Sequence, residues 1–385
     1  QLLKNIEENL MILHFSILAL ILVMGLLFER NIQAKTIPVA LNEDNYNVKT
    51  SIVPWLLVFA LITFYAALRT DVNDTLVYRE SFKNLIPSWD NIYQLIDSDQ
   101  KDKGFYILQN FFKMYISDDY HMWFLLFAAI ESLAFIFILR RESVSFIDAM
   151  FFFFASTLYY NYFTMMRQWF AVSLTFIGFY FIKRKKFIFY LLICLLAAQF
   201  HNSAYIMIPI YFLVQGEPWH KKQNTILIIV FLAILFMNPL LNTLEDTTQG
   251  STYDYAIQTM NTSSGSSIIR PIIYFVPIVL SYIFREKMIG REANIIVNYS
   301  VFNFALNLVA TFTSGLYVVR LSTYLNIYNV LLYPYLLNVA LNDNKNKTLI
   351  KIVFYIFYFS FYLYQMNYTN GYLYYSDILG LFGRN

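Results

Sequence analysis

The chain has 385 residues, of which 58% are hydrophobic and 19% aromatic against 14% charged, a composition that excludes a soluble globular domain and implies an integral membrane protein. The net charge of +3 comes from scattered basic residues, which argues against nucleic acid as a partner. The single cysteine, Cys194, lies in an apolar run, so neither a disulfide framework nor a thiolate metal site is expected.

At about 20 residues per span, the length accommodates roughly a dozen transmembrane helices with short loops. The chain opens on Gln1 rather than Met, and a few preceding residues are expected to be missing. Apolar runs cover 10–28, 51–68, 122–139, 145–162, 164–182, 187–201, 202–215, 224–241, 270–284, 295–312, 321–341 and 348–366. They predict an all-α polytopic bundle of about 12 spans, one membrane domain over residues 1–385. The first run ends in Glu-Arg-Asn with no small-residue cleavage site, so it reads as a span and not a signal peptide.

Basic residues set the expected orientation. With twelve spans, loop 29–50 and the joins at Arg140-Arg141, Lys183 to Lys186, Lys221-Lys222, Arg285 to Arg291 and Lys345 to Lys351 fall on one face, which then holds 17 of the 28 Lys and Arg. That face is cytoplasmic by the positive-inside rule, and both termini lie outside. The stretch 187–215 is long for one helix and short for two. Reading it as a single pass would carry several basic loops outward, so the charges favour a hairpin whose turn holds His201, with each arm about 14 residues or roughly 21 Å long. Such a turn is sunk below the surface, as where broken helices line a cavity, unless both helices simply extend into their flanks.

Two loops are expected outside. Within 69–121, Phe105, Leu108, Phe111, Phe112 and Tyr115 recur at helical spacing behind Gly104, predicting an interfacial helix that either covers a site as a lid or merely packs on the bundle. Loop 242–269, with Glu245, Asp246 and Asp254 and a Thr/Ser/Gly-rich end, reads as mobile and acidic.

Apart from loop 69–121, four arginines stand out on the outer face: Arg69 closing the second helix, Arg167 opening the fifth, Arg270 the ninth and Arg320 the eleventh. Each alone is explained by snorkelling to the interface. As a group they read as an anion site, because guanidinium is always charged and its planar fork suits phosphate or pyrophosphate, favoured further at helix N-termini. His201 adds a group titrating near neutral pH, a general base or a hydrogen-bond donor to phosphate in one reading and a structural histidine in the other. Asp71 and Asp74 follow Arg69, with Tyr78 one turn on; these carboxylates either activate a hydroxyl or bind sugar, or they form a solvated loop edge. Asp97-Ser-Asp99 resembles a metal-binding pair, a cheap match in an acidic loop, and no metal or other cofactor is expected. Glu131 lies mid-span and needs an internal partner, an arginine being the natural one. The 32 tyrosines suit interface belts and sugar stacking alike.

Taken in order, these residues resemble the EpsG family of Wzy-type polymerases of bacterial exopolysaccharide and capsule. The likeness rests on Arg69-Thr-Asp71 through Asp74 and Tyr78, Asp102-Lys-Gly104-Phe105, Arg167-Gln168 with Ala171, Phe200-His201-Asn-Ser203-Ala204, and Arg320-Leu-Ser322-Thr-Tyr324. The chain departs from the family in lacking a glycine between Arg69 and Asp74 and in carrying Asp102 where Glu is commoner. The resemblance implies a glycosyltransferase-C-like membrane fold in the bacterial cytoplasmic membrane. It also implies an enzyme that moves a growing glycan from undecaprenyl pyrophosphate to an incoming lipid-linked repeat unit, working beside a chain-length regulator and a flippase. On that reading Arg167 and Arg320 hold pyrophosphate, Arg69 and Arg270 support them, and His201 or Asp74 activates the acceptor. Asp71, Tyr78, Gln168, Ser203 and Tyr324 contact substrate. A flippase of lipid-linked oligosaccharide, an O-acyltransferase and an O-antigen-ligase-like transferase are the alternatives.

Overall fold

The computed structural model describes residues 2–28, 51–221, 265–312, 315–342, 344–368 and 374–381, with scattered positions from 224 to 232. Loop 29–50, nearly all of the run 224–241 and most of loop 242–269 lie outside the described residues. The named elements are helices: α1 (Leu2–Phe28), α2 (Ile52–Leu68), α3 (Thr75–Asn84), α4 (Trp89–Asp97), α5 (Lys103–Tyr115), α6 (Tyr120–Glu142), α7 (Phe146–Ala155), α8 (Asn161–Thr164), α9 (Met166–Ile177), α10 (Phe179–Ile182), α11 (Phe187–Phe200), α12 (Met207–Leu213), α13 (Ile269–Ile283), α14 (Arg291–Phe312), α15 (Gly315–Asn326), α16 (Asn329–Tyr335) and α17 (Lys347–Tyr368). Among the described residues the strand-like pairings are two isolated bridges, Asp71 with Tyr375 and Ser376 with Leu381.

Two compact units divide the chain: one holds 1–37, 46–208 and 348–385, the other 38–45 and 209–347. Among the described residues α6, α14 and α17 are long and apolar enough to cross a membrane, and shorter apolar stretches include Leu13–Phe28 of α1, α2, α7, α11 and α13. The protein is thus a membrane-embedded helical one, with the count of twelve spans left as an expectation. Helix α11 carries the signature of lipid on one side and protein on the other. Tyr190, Cys194, Ala197 and Ala198 are buried, whereas Ile188, Phe189, Leu192 and Leu196 are exposed. Both faces are apolar, which a water-facing helix would not tolerate.

Local chemistry sets the helix limits. Ser51 Oγ accepts from the Val53 N–H to start α2, Asp119 Oδ1 accepts from the His121 N–H to start α6, and Ser145 Oγ accepts from the Asp148 N–H to start α7. Three predicted runs prove discontinuous, one of them 164–182, which divides into α9 and α10. The run 145–162 stops at Ala155, after which Thr157 takes a left-handed conformation with φ 59°. The turn expected between the runs 187–201 and 202–215 does fall at His201, whose backbone is extended (φ −156°, ψ 115°), before a 3₁₀ turn over Asn202–Ile206. The run 321–341 is two helices, and the first of them begins at Gly315. Arg320 therefore lies in the middle of α15 and does not open a helix.

The loop 69–121 is more structured than hydropathy foretold. Besides the predicted α5 it holds α3 and α4, both too polar to register as apolar runs. Tyr78 and Phe82 of α3 and Phe105 and Phe112 of α5 are buried in one cluster with Trp123, Phe124 and Phe127 of α6 and Met166 and Phe170 of α9. This aromatic core bolts α3 and α5 onto the ends of two bundle helices.

Candidate active site

The aromatic core brings three separated sequence elements together. Arg167 is the second residue of α9, and its Nη1 donates to Asp102 Oδ2 at 2.9 Å and to the Tyr106 hydroxyl at 3.2 Å. The guanidinium carbon stands 5.8 Å from the ring centroids of Tyr78, Phe105 and Tyr106, an aromatic collar that disfavours water and strengthens electrostatic contacts. The side chain keeps 27% of its surface exposed, and its Nε has no hydrogen-bond partner among the described residues. Burial pushes the Tyr78 phenol above its ordinary pKa, with Arg167 opposing the shift, so Tyr78 stays neutral at physiological pH.

The other oxygen of Asp102 reaches the third element. Oδ1 accepts from the backbone N–H of Asn202 at 2.8 Å, directly after His201. His201 Nδ1 lies 2.6 Å from Ser203 Oγ and accepts from the Ser203 N–H at 3.4 Å. Both contacts converge on Nδ1, so in the neutral ring the basic nitrogen faces Ser203. The approach is close because position 104 is glycine: a Cβ there would sit 2.7 Å from Gln199 Cβ. Gln168 is buried beside Arg167 on α9.

Arg69 belongs to the same unit but is differently disposed. It is 1% exposed, with Nη1 donating to the Ala66 carbonyl, Nε donating to Thr75 Oγ1 at 3.1 Å and the guanidinium carbon 4.2 Å from the Phe124 ring centroid. Thr75 passes the tether on to the Phe163 carbonyl at 3.0 Å. Glu131 of α6, itself 2% exposed, lies near enough to interact with Arg69 electrostatically, but its Oε1 has no hydrogen-bond partner among the described residues, so the expected internal partner is met only at a distance. Arg69 thus ties α2, α3, α6 and, through Thr75, α8, and offers no exposed donor. Asp71 and Asp74 are exposed at the α2–α3 join. Arg270, second residue of α13, and Arg320 belong to the other unit, where Tyr324 is buried one turn beyond Arg320. Among the described residues no three His, Cys, Asp or Glu side chains gather as a metal-ligand set.

The arrangement of Arg167, Asp102-Lys-Gly104 and the His201 turn unites elements whose order alone suggested a family, and the model of the EpsG family matches residues 52–377. The chain belongs to the EpsG family. EpsG proteins are Wzy-type polymerases, so this member is a membrane protein of polysaccharide-polymerase type. No curated protein and no solved structure matches the chain significantly. The EpsG match ends at Asp377, whose N–H donates to Thr70 Oγ1 at 3.0 Å; the adjoining Tyr374 hydroxyl donates to the Tyr65 carbonyl at 2.9 Å. The C-terminal segment is thereby strapped across the residues around Arg69.

Two residues near the site were underweighted at the level of sequence. Asp102 entered only as part of a family pattern, and Tyr106 not at all. Their partner lies more than sixty residues away in the chain, which no local spacing reveals.

Proposed function

We propose that this EpsG member is a polysaccharide polymerase of the bacterial cytoplasmic membrane that transfers a growing glycan from undecaprenyl pyrophosphate to the terminal sugar hydroxyl of an incoming lipid-linked repeat unit. In the step, the acceptor oxygen forms a bond to the anomeric carbon, the anomeric carbon–phosphate oxygen bond breaks, and the lipid pyrophosphate leaves with the electron pair. The hydroxyl proton goes to a base. Arg167 is assigned to the leaving pyrophosphate, where a fixed cation at a helix N-terminus in aromatic surroundings stabilises the charge that develops. His201 is assigned as base, its Nδ1 reached through Ser203, with Asp74 the alternative. Asp71, Tyr78 and Gln168 are assigned to substrate contacts near Arg167. Arg69 supports the site from within the bundle. In the second unit, Arg320, Arg270 and Tyr324 are assigned to further contacts with the lipid-linked substrates.

The observation that carries the reading is the partly exposed, aromatic-collared Arg167 held beside the His201 turn. The test is elongation by purified protein with its lipid-linked repeat unit in EDTA, comparing wild type with Arg167→Ala and Arg320→Ala. A ladder of longer products in wild type, lost in both folded variants, is expected. Movement of the lipid across liposomes without a ladder would assign transport instead, and transfer to a different acceptor without elongation would assign a ligase.

A further inference from the structure

Asp102 supplies none of the chemistry of glycosyl transfer, yet each of its carboxylate oxygens goes to a different part of the site. We propose that Asp102 is a positioning residue that sets the spacing between Arg167 and the His201 turn; the inference rests on reading Arg167 as the pyrophosphate ligand. Oδ2 takes the Arg167 Nη1 donor at 2.9 Å and Oδ1 the Asn202 N–H at 2.8 Å. Two features of the backbone show local geometry yielding to this bridge. Asp102 stands at the N-cap of α5, where an aspartate ordinarily accepts from the helix's own first N–H groups, but it makes no such bond. Its φ is 59°, in the left-handed region that non-glycine residues rarely adopt and that is tolerated where tertiary contacts over-determine it. Gly104 then lets α5 close on Gln199, so the bridge is seated by backbone packing as well as by charge.

A carboxylate in this position does not itself bind an anion; it repels one. Its presence beside Arg167 weakens ground-state capture of pyrophosphate while holding the guanidinium in register with the turn. Asp102→Asn keeps an oxygen for the Asn202 N–H and removes the charge. Protein in nanodiscs is to be assayed in two ways: binding of undecaprenyl pyrophosphate itself, and turnover in elongation with KM and kcat resolved. For Asp102→Asn, binding at least as tight as wild type is expected, with kcat reduced about 100-fold, the size of loss that a misplacement near 1 Å produces. Asp102→Glu, which restores the charge on a longer stem, is expected to recover part of kcat. Wild-type turnover in Asp102→Asn would overturn the proposal, as would binding, turnover and thermal stability falling together, since that marks a residue that only maintains the fold. Arg167→Ala separates the two levels of inference. If it binds undecaprenyl pyrophosphate like wild type, the pyrophosphate reading fails and takes this one with it. If it loses binding while Asp102→Asn behaves like wild type in turnover, only the positioning role is lost.

Discussion

Two arginines of one sequence class have opposite fates. Arg167 keeps an exposed portion and an unpartnered Nε among the described residues, whereas Arg69 directs its donors into the bundle, to the Ala66 carbonyl and Thr75 Oγ1. A buried guanidinium is tolerated only while its hydrogen bonds remain, and deleting it takes the donor away from two buried acceptors, Thr75 Oγ1 and the Ala66 carbonyl, at about 1–3 kcal/mol for each group left unsatisfied. Arg69→Ala is therefore expected to lower the thermal unfolding temperature in detergent markedly. The double variant Arg69→Ala/Glu131→Gln should lose less than the sum of its parts, since the two buried groups interact electrostatically. Strict additivity would show that the two side chains are energetically independent. Arg167→Ala should cost transfer activity and also lower the unfolding temperature, because it leaves the 9%-exposed Asp102 carboxylate without its cation.

At the scale of elements, the join between α5 and α11 decides whether the site is assembled. Helix α5 was legible from its spacing of aromatic residues, but its burial was not: Phe105 and Phe112 enter the core with Trp123, while Tyr115 remains exposed. The helix is thus anchored on one side, beyond what an interfacial helix requires. Gly104 marks the closest approach, and the atom a new side chain would meet is Gln199 Cβ, which cannot swing away like the end of a flexible side chain. Gly104→Ala is expected to destabilise this docking by about 1–3 kcal/mol, the usual range for overpacking. Increased hydrogen exchange at 103–106 and 200–204, together with slower elongation, is the expected record of it. Unchanged exchange at both segments would mean that the junction accommodates a methyl group.

At the scale of the whole molecule, ties between distant segments complete the first unit. Lys351 Nζ donates to Asp148 Oδ2 at 2.9 Å, and the Tyr355 hydroxyl donates to Asp148 Oδ1, linking α17 back to α7. The strap over 374–377 returns to Thr70. The bias of basic residues to one set of joins yields the prediction that Lys185 faces the cytoplasm and Asp97 the outside. The native Cys194 is fully buried, so background labelling should be low. A cysteine replacing Asp97 should react with a membrane-impermeant maleimide in intact cells, and one replacing Lys185 only after permeabilisation. The reverse pattern would invert the orientation and move the Arg167 site to the cytoplasmic side.

Composition and hydropathy by themselves determined the class of protein, the limits of α2, α6, α13 and α17, the opening of α9 at Arg167 and the existence of α5. Each of these is a sum over neighbouring residues, and transfer of apolar side chains from water depends on little else. Tertiary structure alone decided that Asp102 bridges Arg167 and Asn202, that Arg69 turns its donors inward to Thr75, and that Arg320 sits within a helix, whereas the interruption at His201 was already legible in the sequence. The Asp102 bridge turns on hydrogen bonds and a charge pair between residues some sixty to a hundred positions apart, and on local costs such as a left-handed aspartate that packing outweighs. A one-dimensional pattern carries the propensities of its own residues but not the identity of the partner that overrules them.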